Sequence, residues 1–155
     1  MHSNATLLHK LFTSLDNHDH KEMSACYHPD ATFSDIAFNL KGRKQIHAMW
    51  HMISETDIRA TFEVANTNDE TGLVHLVDDY TFSDTGRAVH NVIESNFRFR
   101  HGLIIQHADS CDALKWARMA FGGLKGEIAG RCHFLRSRAA SGKLRKFVSA
   151  HQEYA

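Results

Sequence analysis

The sequence predicts an α+β domain with a mainly antiparallel sheet, and three observations predict it. Apolar residues recur at helical spacing through much of residues 1–54. Alternating segments separated by turn residues then fill residues 58–109. Helical spacing returns after residue 112. Helices thus precede strands instead of alternating with them, an order that excludes a doubly wound sheet.

Each element follows from local pattern. Leu7, Leu8, Leu11, Phe12 and Leu15 share one helix face, with Ser3 or Asn4 as the expected cap. Asp19 and Glu22 have capping-box spacing for a second short helix that buries Met23, Cys26 and Tyr27, and Pro29 is expected to end it. A short strand is predicted over 31–36. After Gly42, a third helix over 43–53 presents Ile46, Met49, Trp50 and Ile53. Strands are predicted over 58–66, 73–82, 88–100 and 103–109, joined by hairpin turns rich in Asn, Asp and Gly. A helix over 112–121 stops at Gly122-Gly123. The remainder reads as short helices broken near Gly130 and at Ser141-Gly142.

The 155 residues, 43% of them hydrophobic, suit one core. Net charge is zero, which argues against a nucleic-acid partner. The charge is uneven: residues 1–121 hold 11 Lys/Arg against 16 Asp/Glu, and residues 122–155 hold 7 against 2. The chain therefore divides into a body, 1–123, and a basic helical extension, 124–155. In the extension Leu144, Phe147, Val148 and His151 form a stripe, read as packing on the acidic body in preference to an anionic membrane. Three unpaired cysteines, a polar N-terminus and no membrane-length apolar run predict a cytoplasmic protein. Of the 13 histidines, His47 and His51 are four apart, yet no H-E-x-x-H motif occurs. They are read as solvated surface groups, with no metal and no cofactor expected.

Several segments carry a resemblance. Leu11 to Asp19, Tyr27 to Asp35 and Gly42-Arg43 with Ile46 and Trp50 form one series. Tyr80 to Asn91, Phe97-Arg-Phe99, Gly102 to Asp109 with Asp112, and Lys115 to Gly122 continue it. In order and spacing these resemble the SnoaL-like, ketosteroid-isomerase-like branch of the nuclear transport factor 2-like superfamily, in an uncharacterised bacterial subfamily. The resemblance covers roughly residues 5–123. It implies a cone-shaped half-barrel, a curved sheet wrapped by the N-terminal helices, whose mouth takes a small, mostly apolar molecule. A homodimer formed through the sheet is implied as well.

The resemblance places Asp35 where ketosteroid isomerases hold a general base. Burial would disfavour its charged form and raise its basicity; the plainer reading is a turn residue after the strand. The isomerases' tyrosine and protonated acid correspond to Leu11 and Ser95, so their oxyanion donors are missing and steroid isomerisation is not expected. His107 and Asp109, two apart on one strand, face the same way. They read either as an acid–base pair or as structure, His107 a satisfied wall group and Asp109 an arginine partner or a cap for the helix at Asp112. Trp50, Tyr80, Asn91, Ser95 and Phe97 are the expected pocket residues. Asp78 and Asp79, adjacent in a strand, point to opposite faces and are no paired-carboxylate signal.

Two function classes follow. One is a small enzyme of isomerase, cyclase or epoxide-hydrolase type using Asp35, His107 and Asp109. The other is a non-catalytic module that binds a small ligand or dimerises.

Overall fold

The computed structural model describes every residue, Met1–Ala155. Six strands form one sheet and six helices flank it. The helices are α1 (Ser3–Asp16), α2 (His20–Ser24), α3 (Arg43–Ser54), α4 (Ala113–Ala120), α5 (Gly123–Arg131) and α6 (His133–Ser149). The strands are β1 (Tyr27–Ser34), β2 (Asn39–Lys41), β3 (Arg59–Thr67), β4 (Thr71–Phe82), β5 (Arg87–Arg100) and β6 (Leu103–Ser110). The α+β class holds. The sheet is curved and unclosed, in the order β2-β1-β6-β5-β4-β3. It is antiparallel except for β1 against β6, a parallel pair whose connection runs through α3 and the four strands β2 to β5.

Several local expectations are corrected. The first helix is capped by His2, not Ser3 or Asn4: the Asn4 amide donates to His2 Nδ1 at 3.0 Å. The Asn4 side chain instead donates to the Asn68 carbonyl at 3.1 Å, tying the helix start to the β3–β4 turn. Pro29 does not end α2 but lies within β1, inside a register shift between Tyr27 and Thr32, where a residue without an N–H is tolerated. The three-residue β2 is too short to show a period in sequence. In the tail the break falls at Cys132, and α6 runs unbroken through Ser141-Gly142. Asp19 caps α2 as expected, accepting the Glu22 amide at 3.1 Å.

The core lies between the inner sheet face and α1 and α3. Leu8, Leu11, Phe12 and Leu15 meet Val74, Leu76 and Phe97, while Met49 and Trp50 cover Tyr27 and Phe33. Burial of such side chains is the main force closing the fold, at roughly 1.5–3 kcal/mol each. The extension joins this core through Leu144 and Tyr154, with Phe147 and Val148 packed beside them. Its charge also meets the body: Lys143 Nζ lies 2.8 Å from Asp84. Arg136 donates to the carbonyls of Ile36, Ala129 and Gly130 at 2.9–3.0 Å, pinning α6 to the β1–β2 turn. No helix is long and apolar enough to cross a membrane.

Candidate functional site

Period-2 geometry sends Val89, Asn91, Ile93, Ser95 and Phe97 of β5 inward, and all five are buried. Their antiparallel partners on β4 include Asp78, opposite Asn91, and Tyr80, opposite Val89. On β6 a bulge beside Phe99 resets the alternation, so Ile104 and His107 both face the core. Asp109 follows His107 on the same face. The sheet thereby gathers its inward polar groups between the ends of β1, β4, β5 and β6.

His107 is fully buried and both ring nitrogens are engaged. Nδ1 lies 2.8 Å from the Tyr27 hydroxyl and Nε2 lies 2.6 Å from Asp109 Oδ1. Trp50 Nε1 donates to the Tyr27 oxygen at 3.1 Å, and Ser95 Oγ donates to Asp109 Oδ1 at 2.6 Å. An indole N–H can only donate, so the Tyr27 hydroxyl accepts from Trp50 and keeps its own proton and a second lone pair for the contact with Nδ1. A carboxylate can only accept, so Nε2 carries a proton and donates it to Asp109. Phe33 and Phe97 flank the imidazole edge-on and tilted, at 4.8 and 4.3 Å between centroids.

Three carboxyl groups share this region. Asp35 closes the β1–β2 turn: its Oδ1 accepts the amides of Ala37 and Phe38 at 2.8 and 2.6 Å. Its other oxygen takes no hydrogen bond from the protein. Burial raises the Asp35 pKa, the two amides counteract this, and the Asp109 charge adds to the rise. The turn role is therefore present alongside a perturbed carboxyl. Asp78 is more strongly altered: burial, then the charges of Asp109 and Asp79, push it up to about 8. Its Oδ1 is buried without a partner. A carboxyl with that value is largely protonated at neutral pH and can donate a hydrogen bond.

The structure thus joins His107 to Asp109 and Ser95, and couples Asp35 to them through charge. Trp50 enters the network through its indole N–H. Asn91 Nδ2 points at Cys111 Sγ, 3.7 Å away. The Tyr80 hydroxyl accepts from Trp116 Nε1 at 2.7 Å, and burial lifts its pKa to about 12. Tyr27 and Asp78 are site residues that the sequence reading missed. In sequence Tyr27 is indistinguishable from core, and the adjacent Asp79 masks Asp78. Its shared face with Leu76 and Tyr80 was the available signal.

The histidines also depart from expectation. Only five of the 13 are exposed; the rest are partly or wholly buried. His20, His47, His51 and His151 converge where the C-terminal segment meets α2 and α3. His20 Nδ1 lies 2.8 Å from His47 Nε2, and the His20 ring stacks on His51 at 3.8 Å. Burial, then the nearby His20 and His51, lower the His47 pKa to about 4.

Comparison with known proteins gives a consistent picture. Residues 8–107 match the family model of the SnoaL-like domain. No curated protein sequence matches the chain. Among solved structures, a nuclear transport factor 2-like protein of unknown function from Burkholderia pseudomallei superposes with a TM-score of 0.68 at 16% identity, covering 78% of this chain and 99% of its own. An LEH-like epoxide hydrolase from M. tuberculosis gives 0.62 at 14% identity, covering 82% and 93%. A protein with a ketosteroid isomerase-like fold from Catenulispora acidiphila, in complex with trimethylamine, gives 0.64 at 13% identity, covering 74% and 91%. At these identities the likeness is one of fold.

Proposed function

This chain belongs to the SnoaL-like domain family, and from that premise we propose that it performs acid–base chemistry on a small, mostly apolar molecule bearing a carbonyl or epoxide oxygen. The observation that carries the reading is the contrast between two carboxyl groups that both feel the charge of Asp109. Asp78 is protonated near neutrality and has an unpartnered inward oxygen. Asp35 keeps one oxygen free while two amides support its charged form. Environments that push carboxyl pKa values apart assign an acid and a base.

In this mechanism Asp78 donates a hydrogen bond to the ligand oxygen as negative charge develops there. Asp35 removes a proton, from the ligand in an isomerisation or cyclisation and from water in an epoxide opening. Asp109 sets the field: its charge raises both other carboxyls. His107 is a positioning residue, since neither ring nitrogen is free to meet a ligand. Ser95 fixes the same Asp109 oxygen from the neighbouring strand. Tyr80, Asn91 and Phe97 line the inner face beside these groups.

The test is a thermal-shift screen with ketones, terpenoid epoxides, polyketides and fatty acids, followed by turnover assays on each hit. Asp35→Asn should abolish turnover while preserving the ligand-induced shift, and Asp78→Asn should lower kcat. A shift without turnover for every hit selects the non-catalytic binding module instead. No shift with any compound removes both readings.

A second copy of the chain is the proposed partner. The outer face of β3–β5 carries Val77 and Val92, paired in register, with Val92 57% exposed. Thr61, Glu63, His75 and Glu94 frame them in a shallow groove. Light scattering on the chain and on Val92→Lys tests this, a monomer for the parent removing the proposal. Its location is proposed to be cytoplasmic, in keeping with three free thiols.

A further inference from the structure

The histidine cluster at the tail lies apart from the inner sheet face and takes no part in the chemistry above. His51 closes α3, Glu55 caps it, and His151 follows α6. One ligand atom from each of these three lies within 4.8 Å of the other two. His51 Nε2 is 3.5 Å from Glu55 Oε1.

The remaining ring nitrogens are already spoken for. His151 Nδ1 lies 2.8 Å from the Phe147 carbonyl, which can only accept, so the proton sits on Nδ1 and Nε2 keeps its lone pair. His51 Nδ1 lies 2.9 Å from the Tyr154 hydroxyl. That hydroxyl can accept from Nδ1–H, leaving His51 Nε2 as the second lone pair. A histidine whose far nitrogen donates to a carbonyl or hydroxyl is oriented in the way metal-ligating histidines are. Phe147 holds the His151 ring by stacking at 3.9 Å, and His20 does the same for His51.

We propose that His51 Nε2, His151 Nε2 and Glu55 bind a divalent first-row cation, zinc above all, clipping the C-terminal segment to α3. Two imidazoles and one carboxylate form a donor set that suits zinc, with water completing a tetrahedron. Zinc bond lengths of about 2.0–2.2 Å put tetrahedral ligand atoms about 3.3–3.6 Å apart. His51 Nε2 and Glu55 Oε1 already meet that span at 3.5 Å, the Glu55 side chain is 57% exposed and can turn toward an ion, and a small shift of the C-terminal segment brings His151 in from within 4.8 Å. Calcium and magnesium, which require more oxygen ligands, do not fit. The site uses His51 of the spaced His47/His51 pair but not His47, whose Nε2 is occupied by His20.

Calorimetric titration of the full, untagged chain with zinc chloride after chelator treatment tests the site. One equivalent should bind, and the midpoint of thermal unfolding should rise with zinc and not with magnesium. Glu55→Gln is exposed and should leave the metal-free melting temperature unchanged while weakening zinc binding at least tenfold. His151→Ala should abolish the stabilisation, and His133→Ala, an exposed histidine outside the cluster, should bind as the parent does. Parent-like binding by both Glu55→Gln and His151→Ala overturns the proposal, as does loss of binding only in His20→Ala or His47→Ala. Absence of zinc binding by the parent chain overturns it outright.

Discussion

Ser95 stands directly opposite Asp109 across the β5–β6 pair and donates its hydroxyl proton to that carboxylate at 2.6 Å. The serine occupies the position that the resemblance gives to an acid, and the acid is instead held one strand away. A hydrogen bond to a carboxylate contributes about 1.5–3 kcal/mol. Ser95→Ala should therefore lower unfolding free energy by about 1–2 kcal/mol in urea titration, since part of the loss is regained by local relaxation. An unchanged midpoint would show that Asp109 does not need this donor.

Tyr27→Phe removes one oxygen that serves two partners. The Trp50 indole N–H and His107 Nδ1 would both be left buried without a bond. Each such orphan costs about 1–3 kcal/mol, so a loss of about 2–4 kcal/mol is expected. Equilibrium unfolding gives the magnitude, and the fluorescence of the two-tryptophan chain should shift as Trp50 loses its acceptor.

Asp78 makes stability depend on pH in a set direction. Its folded pKa of about 8 exceeds the ordinary 3.8, so the native chain holds a proton that the unfolded chain releases. Stability is therefore greatest from this group below about pH 4, falls as pH rises towards 8, and is level above that. Asp78→Asn should flatten the melting-temperature profile between pH 5 and 8, with the largest stabilisation at the alkaline end. A parent and variant whose profiles run parallel would place the carboxyl in water.

Gly130 tests how tightly the extension is built in. A Cβ there would lie 2.8 Å from the Leu114 backbone Cα and 2.7 Å from its Cδ1. The backbone atom cannot yield without moving α5 away from α4. Gly130→Ala should cost about 1–3 kcal/mol, the usual range for overpacking. Limited proteolysis should then cut the tail faster than in the parent chain.

These outcomes also mark what was legible in the sequence. Period and turn chemistry were enough for α1, α3 and β3 to β6, because each is long and has one apolar face. β2 has three residues and no period. Pro29 was misplaced because its tolerance inside β1 depends on a parallel partner more than seventy residues away. His107 and Asp109 shared a face as their spacing requires, whereas the link from His107 to Tyr27 depends on the β1–β6 pairing. Asp78 was hidden by its neighbour Asp79. Adjacent strand residues face opposite ways, and that same rule leaves one of the two inside.

Arg136 binds the carbonyl one residue beyond Asp35 and two more at the end of α5. A guanidinium shared between segments a hundred residues apart makes their opening a single event. Amides of α6 and of the 35–38 turn should then exchange with deuterium at matched rates, as one cooperative unit. Arg136→Ala should separate them into two. The extension would then be a reporter for the turn that holds Asp35, registering a change there through its own protection.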